Sequence, residues 1–444
     1  MSETPRKAHA QVNTEPPRGM KDILPDEAEL RDATVQTILT VYRRYGFRRI
    51  ETPALESIQL LTRGEGGENE KLIFKILRRG EKLDLARAAS EADLVDLGLR
   101  FDLTVPLARY YAHNHAQLPK PLKAVQIGPV WRAERPQRGR LRQFTQCDID
   151  ILGVKSEFAE IELILATTEA LTALGLEDLR VRLNDRRILH AMARASGVEP
   201  GRYEGLFITL DKHDKLGWDA VKAELLEMGH PGLAIRNLMD LLIAERDPKR
   251  AFEWMRGQMK GQGADDAFDA LKHVIEAAEA QGVGIAFDPT LVRGMSYYTG
   301  PIFEIQSSRF ASSIAGGGRY DELIGKILGQ DVPATGFSIG FERVVSILLE
   351  LEHPSELGRP EKRIAMVFDE RTDDWQRVLE AARRLRAQGL AVSLEFRARK
   401  RGGQLRKALE ACGFQGFAEF DGTASPRVHW FADREGQAAP GDDG

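Results

Sequence analysis

The 444-residue sequence predicts an α+β chain with a helical insertion and a small α/β domain at its C-terminal end. Three observations predict it. Residues 124–152 hold two apolar-alternating runs around an arginine-rich loop, the pattern of an antiparallel hairpin. Residues 187–280 carry Leu, Ala, Met and charged residues at helical spacing, with few β-branched runs. Residues 362–435 alternate strand and helix patterns: RIAMVF, WQRVLEAARRLRAQG, AVSLEF, GQLRKALEACG, then FQGFAEF and VHWFA.

Composition bounds the possibilities. At 42% hydrophobic and 29% charged residues the chain reads as soluble and globular, long enough for two or three domains. A net charge of −4 argues neither for nor against a nucleic-acid partner, so any RNA contact must come from local basic patches. Cys147 and Cys412 lie far apart and outside any CxxC pattern, which disfavours a disulfide framework and fits a reducing, cytoplasmic compartment. No apolar run reaches membrane-spanning length. Residues 1–17 are polar, lack the apolar core of a signal peptide, and are expected to be a disordered lead-in.

The elements follow in order. Asp26 and Glu29 have capping-box spacing ahead of a helix to about Arg44, with Leu30, Ala33, Ile38 and Tyr42 toward one face and Gly46 placed to stop it. FRRIETPALE reads as a short strand broken by Pro53, which cannot donate to a ladder. Residues 72–105 read as strand, helical stretch (DLARAASEADLVDLG) and strand. A helix covers 155–175, and LRVRLNDRRIL is a strand passing into a helix. Strands return at IAFDPTLVRGMSYYTGPIFEIQ, a glycine cluster follows at Gly316–Gly318, and GFSIGFERVVSILLEL is an apolar strand entering a helix. Residues 351–361 form a Pro/Glu/Gly linker, and 437–444 a frayed end.

Four segments could carry chemistry. In the hairpin, Arg132 could pin a phosphate, with Arg135, Arg138, Arg140 and Arg142 around the rest, and Phe144 offers a face for a base. A solvated basic hairpin explains the same residues equally well. Gly316–Gly318 would let a backbone approach a ligand closely, and Arg343, at a helix start, could clamp a terminal phosphate. A tight turn with a surface arginine is the alternative, and no GxxxxGK[ST] loop is present. Arg293 with Tyr297 and Tyr298 forms a third group; in an extended backbone the tyrosines would face opposite ways. Asp102 and Thr104, two apart, would share a strand face and suit an ammonium group, although a lone Asp-x-Thr is usually structural; Gln146, Asp148 and Asp150 likewise share a strand face beside the arginine hairpin and, if buried, point to a polar small-molecule pocket. No Ser–His–Asp or Cys–His pattern and no metal-spaced His cluster stands out, so catalysis would rest on positioning and charge stabilisation; a metal-ligand set is not readable.

These residues resemble the histidyl-tRNA synthetases, a family of class II aminoacyl-tRNA synthetases. RGMKDILP with the first helix and the strand ending at Pro53 resembles the first class motif, GPVWRAERPQRGRLRQFTQCDIDILG the second and GFSIGFERV the third. LVRGMSYYTG and AGGGRYDELI resemble the two histidine-specific signatures, and the likeness runs to about residue 350. The resemblance implies a homodimeric histidine–tRNA ligase: an antiparallel catalytic sheet of six to seven strands with flanking helices in 18–350, a helical insertion clamping the acceptor stem at 187–280, and an anticodon-binding domain at 362–436.

It also implies residue roles. Arg132 would hold the α-phosphate of ATP, Glu134 the adenine amino group, Arg140 the phosphates, Phe144 the adenine face and Arg343 the γ-phosphate. Asp102, Thr104 and Gln146 would bind the amino end of histidine, while Asp150, Tyr298 and Tyr297 read the imidazole. Arg293 would act on the carboxylate and α-phosphate, and Mg²⁺ would accompany ATP. Two departures stand out: Met295-Ser296 replaces the usual Leu-Asp, and the tail is short and lacks a clear last helix. The tail nevertheless carries six basic residues and no acid between 397 and 407 (Arg397, Arg399, Lys400, Arg401, Arg406 and Lys407), a patch that suits RNA phosphates or an ordinary solvated helix start. The rival readings are a non-catalytic histidine-binding paralogue that regulates ATP phosphoribosyltransferase, and a class II synthetase of another specificity. Retention of Arg132, Arg293 and Arg343 together with a tail favours the ligase.

Overall fold

A computed structural model describes residues 13–62, 69–136, 141–243, 247–292, 297–310, 312–351, 362–397 and 402–431. The chain separates into two compact units, Met1–Ser355 and Glu356–Gly444.

The first unit contains strands β1 (Arg48–Arg49), β2 (Leu55–Ser57), β3 (Lys75–Leu77), β4 (Val95–Leu99), β5 (Leu122–Trp131), β6 (Gln143–Leu152), β7 (Leu179–Asp185), β8 (Ile285–Phe287), β9 (Pro301–Ser307), β10 (Ala315–Arg319) and β11 (Ala334–Ile339). Eight of them form one sheet in the order β1-β5-β6-β11-β10-β9-β7-β8. The six inner strands pair antiparallel, and β1 and β8 add a short parallel strand at each edge. The sheet is thus two edge strands wider than the antiparallel core. Strands β2, β4 and β3 form a separate three-stranded sheet, and Pro53 lies in the crossing between the end of β1 and the start of β2.

Strand β6 shows why the sheet has two unlike faces. Side chains alternate along a strand. Cys147, Ile149 and Ile151 are fully buried on one face. Helix Phe158–Ala173 packs there across β6 and β11, and helix Pro25–Arg44 packs on that helix. Burying each large apolar side chain contributes roughly 1.5–3 kcal/mol, which fixes the register against a one-residue slip. The alternate residues Gln146, Asp148 and Asp150 are thereby forced to the other face.

Several local expectations change. The first helix starts with Pro25 at its first position and no side-chain cap, so Asp26 and Glu29 do not form a capping box; proline's fixed φ and missing N–H suit that position. Gly46 does end it, at φ +82°. The helical stretch expected around 84–98 shrinks to Glu91–Leu94, where Ser90 and Asp93 make a capping box. Strand β4 ends at Leu99, and Thr104 opens helix Thr104–Asn114, so Asp102 and Thr104 do not share a strand face. Gly316–Gly318 lie within β10 rather than in a turn. The stretch 187–280 is helical throughout its regular elements, from Arg186–Ala195 to Asp265–Ala280.

The second unit holds β12 (Arg363–Phe368), β13 (Ala391–Phe396), β14 (Gly416–Glu419) and β15 (Val428–Trp430) in the order β13-β12-β14-β15, the first three mutually parallel. Ile364 and Met366 pack under helix Trp375–Ala387 through Val378, Ala381 and Leu385. Ala365 and Val367, on the other face, pack with Leu409 of helix Gly402–Ala411. Among the described residues no helix is long and apolar enough to cross a membrane.

Candidate active site

The polar face of β6 opens into a cleft of about 340 Å³. Asp102 and Thr104 enter it from the start of helix Thr104–Asn114, and Arg132, Glu134, Phe144, Gln146 and Asp150 from the β5–β6 hairpin. Tyr297 and Tyr298 enter from the turn before β9, and Arg343 from helix Phe341–Glu350. These ten residues, with Asp148, Gly316 and Gly317, are all singled out by the sequence and meet in one place. Arg138, Arg140, Arg293, Met295 and Ser296 lie outside the described residues.

One end is rich in buried acid. Asp102 Oδ1 accepts the Val105 N–H at 3.1 Å, so this carboxylate caps the helix that Thr104 begins. Burial pushes the Asp102 carboxyl up to about 6, against the opposing pull of that N–H and of Arg132. Burial likewise raises Asp150 to about 7, although the Tyr320 hydroxyl, donating at 2.5 Å, favours its ionised form. Asp148 lies well above the ordinary carboxylate range, through burial and then the proximity of Asp150. Among the described residues Asp102 Oδ2, Asp148 Oδ1 and Gln146 Oε1 are buried acceptors with no protein donor. Unpartnered acceptors on two carboxyls and an amide, crowded beside Asp150, suit a ligand carrying N–H donors.

The other end is cationic and aromatic. Arg132 donates from Nε to the Phe101 carbonyl at 3.0 Å, and its guanidinium lies 5.1 Å from the centre of the Phe144 ring. Arg343 donates to the Ser313 carbonyl, and its guanidinium lies 5.9 Å from the Phe310 ring centre. Arg142 holds the hairpin itself: its N–H donates to Gly19, its carbonyl accepts from Arg132, and its Nε donates to the Glu134 carbonyl at 2.9 Å. Arg135 is exposed and does not line the cleft. Neither arginine joins the phosphate-facing group expected from the hairpin.

Glycine is needed at the closest approach of the strands. A β-carbon on Gly317 would overlap the Gly336 carbonyl, and one on Gly336 would overlap the Asp150 carboxylate. The two tyrosines sit in a turn, not an extended strand, so both reach the cleft, their rings 4.9 Å apart and steeply inclined.

Motif spacing misses Tyr320, Ser338, Thr145 and Glu342, which also line the cleft. Tyr320 follows directly on β10, a placement visible only once the glycines are known to be a strand. In the second unit Arg397 is exposed beside Glu419, and Lys407 is exposed. Arg406 is drawn into structure, bound to Glu410 at 2.9 Å and to the Phe431 carbonyl. Arg399, Lys400 and Arg401 lie outside the described residues.

The profile of the histidyl-tRNA synthetase family matches residues 19–344. The chain belongs to that family. Its class II sheet and flanking helices are the architecture expected of membership. It is 44% identical over 420 residues to a histidine–tRNA ligase of Leifsonia xyli, covering 91% of this chain and 95% of that one. It is 37% identical over 416 residues to a histidine–tRNA ligase of Aeropyrum pernix, covering 92% and 91%. These alignments run past the first unit into the second, so the likeness does not stop at residue 350. Among solved structures, a histidyl-tRNA synthetase from Nostoc superposes with a TM-score of 0.75 at 26% identity, covering 93% of each chain. A protein from Bacillus halodurans, described as an ATP phosphoribosyltransferase regulatory subunit/histidyl-tRNA synthetase, shares the fold with a TM-score of 0.72 at 24% identity.

Proposed function

We propose that the two ends of the cleft divide the work of the activity that the chain has as a member of its family: ATP-dependent formation of histidyl-adenylate, then transfer of the histidyl group to the 3′ end of its tRNA. The observation that carries the division is the convergence of buried carboxyls at one end and of Arg132, Phe144 and Arg343 at the other.

At the acidic end Asp102, Thr104 and Gln146 bind the α-ammonium of histidine, and Asp150, Tyr297 and Tyr298 read the imidazole. A protonatable carboxyl near neutrality and a phenol can donate to one ring nitrogen and accept from the other. At the cationic end Phe144 stacks on adenine, Glu134 takes its amino group, Arg132 and Arg140 hold the α-phosphate and its neighbours, and Arg343 holds the γ-phosphate. Arg293, outside the described residues, acts on the histidine carboxylate and the α-phosphate.

The carboxylate then attacks the α-phosphorus in line and pyrophosphate leaves. Charge builds on the non-bridging oxygens, and guanidiniums already oriented there stabilise it without reorganising. Mg²⁺ enters as part of the substrate, Mg·ATP.

The domain roles belong to the same reading. Residues 18–350 are the catalytic domain, with 187–280 inserted to hold the acceptor stem, and 362–436 contact the anticodon stem, Arg397 and Lys407 meeting phosphates. The enzyme works as a homodimer in the cytoplasm. Purified protein should catalyse histidine-dependent exchange of pyrophosphate into ATP and charge unfractionated tRNA with labelled histidine. Tight histidine binding without exchange would overturn the reading in favour of a regulatory role.

A further inference from the structure

Strand β6 outruns its neighbour. Its pairing with β11 ends at Cys147 opposite Ile339, so Thr145 has no backbone acceptor on that side. On its other side it faces Pro129 of β5. The Glu342 side chain fills the gap: Oε1 accepts the Thr145 N–H at 2.9 Å, where a ladder carbonyl would have been. Arg31, from helix Pro25–Arg44, then closes on the same carboxylate with both terminal nitrogens, at 2.6 Å to Oε2 and 2.8 Å to Oε1. Arg31 Nη2 also donates to Thr145 Oγ1 at 3.1 Å, and the guanidinium lies 5.0 Å from the Phe341 ring centre. Glu27 completes the surroundings at 3.5 Å from Arg31.

Every residue Arg31 grips on the cleft side is the chain neighbour of one assigned to ATP. Thr145 lies between Phe144 and Gln146, and Glu342 lies between Phe341 and Arg343. We infer that Arg31 is a positioning residue for ATP: by clamping Glu342 onto Thr145 it fixes the distance between the adenine-stacking Phe144 and the phosphate-holding Arg343. This rests on the assignment of that end of the cleft to ATP.

The bond is bidentate and only partly exposed, with 15% and 20% of the two side chains accessible, so solvent does not screen it away. Losing the clamp leaves Glu342 with the Thr145 N–H alone and frees the helix start to drift from β6. Displacements of that kind away from the reacting atoms slow reactions by tenfold to a hundredfold.

The test compares wild type with Arg31→Met, Arg31→Lys and Glu342→Gln in pyrophosphate exchange, with thermal melting recorded for each. The expected result for Arg31→Met is a KM for ATP raised about tenfold, with the KM for histidine within about twofold of wild type. Arg31→Lys should restore part of the loss, and adding Glu342→Gln to Arg31→Met should make it little worse, because both remove one contact. If Arg31→Met does not fold, Glu342→Gln, which keeps an acceptor for Thr145, carries the same comparison. Equal rises in both KM values, or an unchanged KM for ATP in a folded variant, would overturn the inference. Absence of exchange in the wild type would instead overturn the functional assignment.

Discussion

The Tyr320 hydroxyl donates to Asp150 Oδ1 at 2.5 Å, and both groups are buried. The two lie 170 residues apart in the chain, and the bond ties the second strand of the arginine hairpin to the end of the glycine strand. It stabilises the ionised carboxylate, opposing the burial that raises it to about 7.

Removing that donor has a signed consequence. In Tyr320→Phe the Asp150 carboxyl should rise above its present value, so at pH 7 more of it is protonated. If Asp150 accepts from the histidine ring, the KM for histidine should increase about tenfold or more at pH 7, the loss of one hydrogen bond to a charged group. Raising the pH to 9 should recover most of it, and the KM for ATP should hardly change. A histidine KM that ignores pH in this variant would count against Asp150 as the ring reader.

The acidic cluster makes the ligand-free protein sensitive to base. Asp102 and Asp150 sit at about 6 and about 7 in the folded chain, against 3.8 for the free side chain. A carboxyl with a raised folded value binds more protons folded than unfolded, so its contribution is intact below the unfolded value and is lost as pH climbs through the folded one. Asp150→Asn, neutral at every pH, should therefore gain in melting temperature relative to wild type between pH 5 and pH 8. A constant difference across that range would show that Asp150 is not held protonated.

A buried ion pair supports the fold behind the site. Arg319 meets Glu160 through Nε at 2.7 Å and Nη2 at 2.8 Å, and Glu160 is wholly buried. Glu160→Ala leaves the buried Arg319 guanidinium with Asp321 as its remaining carboxylate, at 3.2 Å, and should cost about 3 kcal/mol in denaturant unfolding, the low end for a broken buried pair. Glu160→Gln should cost less, since an acceptor remains.

The tail can be separated from the chemistry. Lys407→Glu with Arg397→Glu should weaken tRNA charging while leaving pyrophosphate exchange unchanged, and the salt dependence of tRNA binding should flatten by about 1 per lost phosphate contact. Arg406→Glu is the wrong probe, because its contacts to Glu410 and Phe431 make it part of the unit's packing.

What the sequence reveals and what it hides have a common cause. Alternation along TQCDIDIL announces that Gln146, Asp148 and Asp150 share a face, and the fold keeps them there because Cys147, Ile149 and Ile151 bury the other one. Arg132, Phe144 and Arg343 sit on motifs short enough to read locally. Tyr320, Arg31 and Glu342 matter through partners more than a hundred residues away, and no local pattern marks such pairs. Two backbone readings failed for a related reason. Glycine promotes turns in isolation, but Gly316–Gly318 serve strands that approach too closely for side chains. Asp102-x-Thr104 mimics strand spacing, yet its acid caps a helix.

That close approach limits how the enzyme can change. At Gly317 and Gly336 hydrogen is the largest group that fits, so neither of these two positions can be mutated to widen or narrow the chamber in small steps. Gradual reshaping is left to the side chains around them that line the cleft, Ser338, Asp150, Tyr297 and Tyr298 among them. The scaffold thereby withdraws these two positions from the reach of selection.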